Sequence, residues 1–170
     1  MEKTHMFDEV FGEVENDFGY VAKKKLIFFG EEQEIDVHID IDVDEGEEIA
    51  QVQRDAYEAL MQNWDEMQHK IANAILRYYN EEEKGAYGPD NPDEFAKWWP
   101  DIESEEELIK YVHFDTIIIP TDYIMEIKGE NPVYILFDRD WGGEDLEDNG
   151  VAVLIEDGEV SEVGYKYIAY

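Results

Sequence analysis

The chain has 170 residues, 44% of them hydrophobic and 14% aromatic, which is enough for one buried core and excludes a disordered acidic tail. Its 13 basic and 45 acidic residues give a net charge of −32, which opposes binding to nucleic acid and to anionic membranes. The absence of cysteine excludes disulfides and cysteine-bound zinc, and no apolar stretch is as long as a membrane span. We therefore expect a single domain, residues 1–170, located in the cytoplasm.

The N-terminal third has the pattern of three β-strands. Residues 7–14 and 20–29 are rich in apolar side chains and are separated by turn-forming residues, which predicts two strands. Residues 35–44 alternate between apolar and polar or charged side chains, which predicts a third strand with one buried face. We interpret the three lysines at 23–25 as a charged strand edge or as partners of nearby carboxylates, rather than as an anion site.

Asp40, Asp42 and Asp44 have the spacing with which a calcium-binding loop begins. Such a loop also requires glycine at its sixth position and glutamate at its twelfth, where this chain has Glu45 and Gln51. Because the strand alternation accounts for the same aspartates, we predict no metal site here.

Residues 47–79 have the periodicity of one long helix. Apolar residues recur every three or four positions in two adjacent rows, and no glycine or proline interrupts them. Asp44 and Glu47 have the spacing of an N-terminal capping pair. A straight helix of this length would span about 50 Å, so it must project, bend or break near Asn63. Its broad apolar face is suited to packing on a sheet or to pairing with a second copy of the chain.

The region after this helix is less regular and contains bulky aromatic residues. Trp98 and Trp99 follow a proline-containing loop, where they either pin that loop to the core or anchor an interface. Ser104 and Glu107 have the spacing of a capping box, which predicts a short second helix.

The rest of the chain is predicted to be β-structure. Strands are indicated at 116–120, 123–127, 133–137, 151–155 and 160–165, and Asp157-Gly158 indicates a tight hairpin between the last two. Strands and helices do not alternate along the chain. We therefore predict an α+β fold in which an antiparallel β-sheet packs against one long helix plus a short second helix.

The loop at 138–150 concentrates carboxylates around one tryptophan. A calcium-binding spacing that starts at Asp138 fails at Gly142 and Asn149, and no nucleophile or phosphate-binding loop lies nearby in the sequence. We therefore predict no metal, no cofactor and no catalytic residue. The candidate binding residues, which also include the two adjacent tryptophans, are Asp138, Asp140, Trp141, Glu144, Asp145, Asp148, Trp98 and Trp99.

The alternative interpretation of this loop is structural. In that case it is a solvated hairpin connection, Arg139 pairs with an aspartate, and Trp141 folds back onto the sheet. The two interpretations differ in whether Trp141 is available to a partner.

Several short motifs occur in a recognisable order. Gln53, Ala56 and Tyr57 lie near the start of the predicted helix and Tyr78-Tyr79 lies at its end, while the closing hairpin is marked by Trp141, Asp148-Asn149-Gly150, Asp157-Gly158 and Val163-Gly164. In these motifs the chain resembles a group of small, acidic, bacterial domain-of-unknown-function proteins, whose hairpin reads Trp-Asp-x-Glu-His-Gly. The chain departs from that group by extra residues after Trp141 and by Asp148-Asn149 in place of the Glu-His pair. The resemblance implies a structural hairpin, and some small acidic proteins of this kind are suspected toxin-immunity proteins.

These observations lead to one preferred function and two alternatives. The preferred hypothesis is a non-enzymatic, acidic binding protein of immunity type that captures a basic protein partner by imitating the charge of a polyanion. One alternative is a structural homo-oligomer that pairs through the long helix. The other is a carboxylate-based hydrolase, which would need convergent polar groups in a cleft.

Overall fold

The computed structural model describes residues 5–121, 129–143 and 150–170. Its strands are β1 (His5–Asp8), β2 (Gly12–Asn16), β3 (Tyr20–Phe28), β4 (Glu31–Ile39), β5 (Val112–Ile119), β6 (Val133–Arg139), β7 (Val151–Glu156) and β8 (Glu159–Tyr165). Its helices are α1 (Gln51–Gln62), α2 (Trp64–Tyr78), α3 (Pro92–Trp98) and α4 (Glu105–Leu108), with a π-helical turn at Tyr79–Glu83 and a 3-10 turn at Lys166–Ala169.

In the described part of the chain the eight strands form one sheet, and they lie in the order in which they occur in the sequence. All neighbouring pairs are antiparallel except β4 and β5, which are parallel. The prediction of a purely antiparallel sheet is therefore wrong. Parallel neighbours require a crossover connection, and the whole helical region between β4 and β5 provides it.

The prediction of one long helix is also wrong, because the helix divides at Asn63. The side-chain amide of Asn63 donates to the carbonyl of Ala59 at 3.2 Å, and its φ of −113° lies outside the helical range. The two halves then pack on different parts of the sheet: α1 contacts β5 and β6, whereas α2 contacts β7 and β8. The long helix that suggested homo-oligomerisation is therefore two shorter helices.

The helix also begins later than the capping pattern predicts. Asp42 accepts a hydrogen bond from the backbone N–H of Glu45, and Glu47 accepts one from the backbone N–H of Asp42, so these carboxylates close a turn before the helix. The backbone N–H of Ala50 is instead bound by the side chain of Gln53 at 3.0 Å. The residues expected to cap the helix therefore belong to the loop between β4 and α1.

The N-terminal segment forms two strands where the sequence predicted one. The carboxylate of Asp8 accepts hydrogen bonds from the backbone N–H groups of Val10 and Phe11, and Gly12 has a φ of +77°. This local turn reverses the chain and pairs β1 with β2. The third predicted strand lies earlier than expected, because β4 ends at Ile39.

The two faces of the sheet have different surroundings. On the helix face, buried residues of β4 such as Ile35, Val37 and Ile39 join the apolar residues of α1 and α2 in the main core. On the other face, which we call the back face, a second and smaller apolar cluster lies on β5, β6 and β7. We call this cluster the apolar patch, and its members are Ile118, Tyr134, Leu136, Ala152 and Leu154.

Other local predictions are confirmed. The hydroxyl of Ser104 caps α4 by accepting from the backbone N–H of Glu107. Asp157 and Gly158 have φ values of 56° and 74°, as expected for the tight turn between β7 and β8. The strand predicted at 123–127 lies outside the described residues. Within the described residues, no helix has both the length and the apolar character needed to cross a membrane.

Candidate binding surface

Asp138 lies on the back face near the end of β6, opposite His113 of β5. Its carboxylate is 62% exposed and accepts a hydrogen bond from the ammonium group of Lys166 at 2.5 Å. The carboxylate of Asp115 lies 3.6 Å from the same ammonium group. Two neighbouring strands therefore present carboxylates to one cation. We call Asp115 and Asp138 the acid pair.

Lys166 is the cation held by the acid pair, and its side chain is only 17% exposed. Burial alone would lower the pKa of Lys166, but the hydrogen bond and charge of Asp138, with the charge of Asp115, outweigh that effect and raise the pKa. The ammonium group is therefore charged at neutral pH, and it partly neutralises this part of the acidic surface.

Asp140 extends the acid pair by one further carboxylate. Its Oδ2 lies 2.9 Å from Nε2 of His113, and the exposed fractions of the two side chains are 52% and 57%. A backbone hydrogen bond from Asp140 to the carbonyl of Tyr111 fixes the start of the loop after β6. We call Asp115, Asp138 and Asp140 together the acidic row. Each is partly open to solvent.

Trp141, by contrast, is a core residue. Its side chain is completely buried, its ring centroid lies 4.7 Å from that of Tyr79, and its indole N–H donates to Oε2 of Glu83 at 3.1 Å. This arrangement agrees with the structural interpretation of the loop, in which the tryptophan folds back onto the protein. Trp141 offers no surface to a partner in this structure.

The loop after β6 is fixed by a buried ion pair that the sequence did not indicate. Nη2 of Arg139 lies 3.3 Å from Oε1 of Glu83, and the two side chains are 4% and 0% exposed. The guanidinium group also donates to the hydroxyl of Tyr87 and to the carbonyl of Trp141. Burial raises the pKa of Glu83, although the charge of Arg139 and the indole hydrogen bond oppose the shift. Arg139 thus pairs with a glutamate of the π-helical turn and not with an aspartate.

Trp98 and Trp99 close the same region from the other side. Trp99 is 2% exposed, and its indole N–H donates to the carbonyl of Tyr87 at 2.9 Å. Trp98 is partly buried, and a Cβ on Gly143 would lie only 2.8 Å from its ring. The absence of a side chain at Gly143 lets the loop pass over Trp98. Both tryptophans therefore pin the irregular region to the core, and only Trp98 retains some exposed surface.

Three of the candidate binding residues, Glu144, Asp145 and Asp148, lie outside the described residues. The structure thus brings Asp138 and Asp140 together on the surface and assigns Trp99 and Trp141 to the interior. No group of three or more histidine, aspartate or glutamate side chains in the described ranges has an arrangement suited to holding a metal ion.

The sequence carried a partial signal for the additional residues of this surface. His113 and Asp115 alternate with apolar residues on β5, which indicates that they share the solvent-facing side of that strand. Lys166 gave no comparable signal, because its contact with β6 depends on how the chain folds back after β8. Glu83 belongs to a run of three glutamates that resembles a solvated helix end, and a π-helical turn is needed to direct it inward.

A sequence profile described as "Domain of unknown function (DUF6985)" matches residues 10–170 of the chain. The chain belongs to the DUF6985 family. Neither a curated protein nor a solved structure matches this DUF6985 protein.

In this DUF6985 protein the Gln-x-x-Ala-Tyr motif is structural. The buried amide of Gln53 donates to the carbonyls of Asp40, Ile119 and Pro120, at 2.9, 3.4 and 3.3 Å. One side chain therefore ties the start of α1 to the ends of the two parallel strands, β4 and β5. Ala56 and Tyr57 are buried in the main core one turn later.

Proposed function

We propose that this protein is a non-enzymatic binding protein that captures a basic protein partner, and that it acts in the cytoplasm of a bacterium as an immunity-type protein. The observation that carries this proposal is the acidic row, in which three partly exposed carboxylates lie side by side and two of them already hold an ammonium group. The chain as a whole carries a net charge of −32. The resemblance to small acidic proteins suspected of toxin immunity supports the immunity role.

Charge favours a basic protein over other partners. A strongly negative surface repels nucleic acid and anionic lipid, whereas it accelerates encounters with cationic proteins by long-range attraction. The row is made of side chains on and directly after a rigid sheet, so it needs little ordering when a partner binds. Trp99 and Trp141 are buried and stiffen the protein beneath the surface, whereas Trp98 retains exposed area.

The experiment measures binding kinetics against cationic proteins encoded beside the gene. The association rate should fall markedly as salt rises from about 50 to 500 mM, because the Debye length shrinks from roughly 14 to 4 Å. A variant with Asp138→Asn and Asp140→Asn should associate about tenfold more slowly, with a smaller change in the dissociation rate. Amides at Glu144, Asp145 and Asp148 would extend the same test to the rest of the loop.

The matched control carries Glu81→Gln and Glu82→Gln, which remove two exposed charges at the π-helical turn. The proposal requires the acidic-row variant to lose more of the association rate than this control. The proposal would be overturned by a partner whose association rate changed neither with salt nor with the Asp138→Asn and Asp140→Asn substitutions. It would also be overturned if no cationic candidate bound.

A further inference from the structure

The 3-10 turn Lys166–Ala169, which we call the strap, crosses from the edge strand β8 onto the back face. The backbone N–H of Lys166 donates to the carbonyl of Gly150 at 3.2 Å, and its ammonium group reaches the acid pair. Two residues later, Ile168 packs against the apolar patch together with Ala169. The strap therefore places one cation and one aliphatic side chain on two adjoining features of the back face.

Two glycines make room for this arrangement. A Cβ on Gly164 would lie 3.1 Å from Cγ2 of Ile168, and a Cβ on Gly150 would overlap with Cε of Lys166 and with the backbone carbonyl of Phe137. A larger residue at Gly164 would therefore push the strap away from the sheet, and one at Gly150 would clash with both the strap and β6. The surface on which the strap lies is thus shaped by Gly164 of β8 and by Gly150, the residue before β7.

The strap is small, and it contacts the apolar patch through Ile168 and Ala169. The patch residues are at most 6% exposed, whereas none of the strap residues is buried and Tyr167 is 66% exposed. Four residues in a single 3-10 turn have little secondary structure to hold them, so opening the strap costs far less than unfolding the sheet.

We propose that the acid pair and the apolar patch form the docking site for the basic partner, and that Lys166 and Ile168 occupy this site in the free protein as an internal mimic. This inference rests on the proposed function and adds the partner's chemistry. The partner supplies a lysine or arginine side chain to Asp115 and Asp138, and an aliphatic side chain two residues further on to the patch. On binding, the partner's cation replaces the ammonium group of Lys166, so Asp115 and Asp138 have a cationic partner in both the free and the bound protein.

The test uses the peptide Tyr-Lys-Tyr-Ile-Ala, which has the sequence of residues 165–169, carries a fluorophore and is titrated into the full chain. Removing the competing cation by Lys166→Ala should tighten binding by about tenfold or more, because a closed strap reduces the fraction of protein that can bind. Ile168→Ala, which weakens the other end of the strap, should change affinity in the same direction. Asp138→Asn should abolish the gain when it is combined with Lys166→Ala.

Two controls separate docking from general charge effects. Lys70→Ala removes a lysine from a different ion pair, with Glu159, and should leave the peptide affinity unchanged. The peptide Tyr-Glu-Tyr-Ile-Ala should not bind to any variant. Far-UV circular dichroism establishes that each variant is folded, and hydrogen exchange should show faster exchange at 166–170 when the cationic peptide is added to the unmodified protein.

Equal peptide affinities for the Lys166→Ala and Lys70→Ala variants would overturn the docking site. A basic protein that bound with strong salt dependence but was indifferent to Lys166→Ala would also overturn it, while the proposed function would stand. Tighter peptide binding by the Lys166→Ala variant, without capture of any basic protein, would support the docking site and remove the proposed function.

Discussion

At the scale of single residues, two buried carboxylates show how differently a charge can be accommodated in one small protein. Asp8 is 4% exposed and accepts four hydrogen bonds, two from Arg54 and two from backbone N–H groups. Glu83 is 1% exposed, and its Oε1 has an ion-pair contact but no well-aligned hydrogen bond. The first carboxylate is fully satisfied as an anion, whereas the second is not.

For Asp8, burial alone would raise the pKa, but the hydrogen bonds from Arg54, Val10 and Phe11 outweigh burial and lower it. A lowered pKa in the folded state contributes stability above the unfolded value of 3.8, and that stability is lost as pH falls through the folded pKa. Arg54→Ala should therefore lower the free energy of unfolding at pH 7 by about 1–3 kcal/mol and flatten its decline in acid. Urea unfolding between pH 2.5 and 7 measures both effects.

The control for that experiment is Lys23→Ala, which breaks an ion pair in which both side chains are substantially exposed. Such pairs contribute little, so the loss should stay below about 0.5 kcal/mol. Equal losses for the two variants would show that Arg54 does not hold β1 to α1 as the hydrogen bonds indicate.

For Glu83 the sign is opposite, because burial raises the pKa. The folded protein then holds a proton that the unfolded chain releases near pH 4.5, so the contribution of Glu83 to stability falls as pH rises through the folded pKa. Glu83→Gln keeps the shape of the side chain and removes this titration. The free energy of unfolding of the unmodified protein should therefore decline relative to the variant between about pH 4.5 and 7.

The measurement is a pair of urea unfolding series across that pH range, with Glu82→Gln as an exposed control that should show no such divergence. If the unmodified protein instead gained stability relative to the Glu83→Gln variant as pH rose, the attraction of Arg139 would outweigh burial. The pKa of Glu83 would then be lowered in the folded protein rather than raised.

At the scale of elements, α1 offers a direct test of packing. Leu60 is 3% exposed and lies in the main core, whereas Glu58 is exposed on the same helix. Leu60→Ala should lower the free energy of unfolding by about 2–5 kcal/mol, because it removes buried methyl groups and leaves a cavity. Glu58→Ala should change it by no more than about 0.5 kcal/mol. Chemical denaturation of both variants measures these changes. Small and similar changes in the free energy of unfolding for the two variants would contradict the packing of α1.

The elements also show what sequence patterns can and cannot specify. Period-two and period-3.6 patterns located most of the strands and the helical region, because these periods follow from backbone geometry. They did not place Val52 correctly: its spacing puts it in one of the two apolar rows predicted for residues 47–79, but its side chain is 53% exposed. They also missed Gln53 and Gln68, whose buried amides bind backbone groups at or just beyond the ends of distant strands. A polar residue with a structural hydrogen bond appears in the sequence as a solvent-facing residue.

Such patterns could not predict whether β5 runs parallel or antiparallel to β4, and the reason is different. A strand has the same side-chain alternation whether it runs parallel or antiparallel to its neighbour, so pairing depends on the path of the connection. The helical region could lead back to either end of the sheet. Contacts such as the indole hydrogen bond from Trp64 to the carbonyl of Ile27 at 2.7 Å fix that path only in three dimensions. The convergence of Asp115 and Asp138 on Lys166 could not be predicted for the same reason, since the two strands and Lys166 come together only after folding.

At the scale of the whole molecule, repulsion among the carboxylates is the main electrostatic force that opposes folding. The lysines and arginines of the described ion pairs compensate nearby carboxylates, yet 45 acidic residues face only 13 basic ones in the chain. The excess charge repels itself more strongly in the compact state than in the expanded one. An apolar core on both faces of the sheet opposes this repulsion.

This balance predicts that salt stabilises the fold. Raising sodium chloride from about 20 to 300 mM shortens the Debye length from roughly 20 to 6 Å, so repulsion between distant carboxylates is screened. Ion pairs such as Lys23–Asp36 are exposed and weaken as well, but each contributes little. The midpoint of thermal unfolding should therefore rise with salt, and sodium chloride and potassium chloride should act alike because screening depends on ionic strength.

A midpoint that fell with salt would mean that local ion pairs outweigh the repulsion that results from the net charge of −32. The acidic surface would then be a stabilising network rather than a cost of folding.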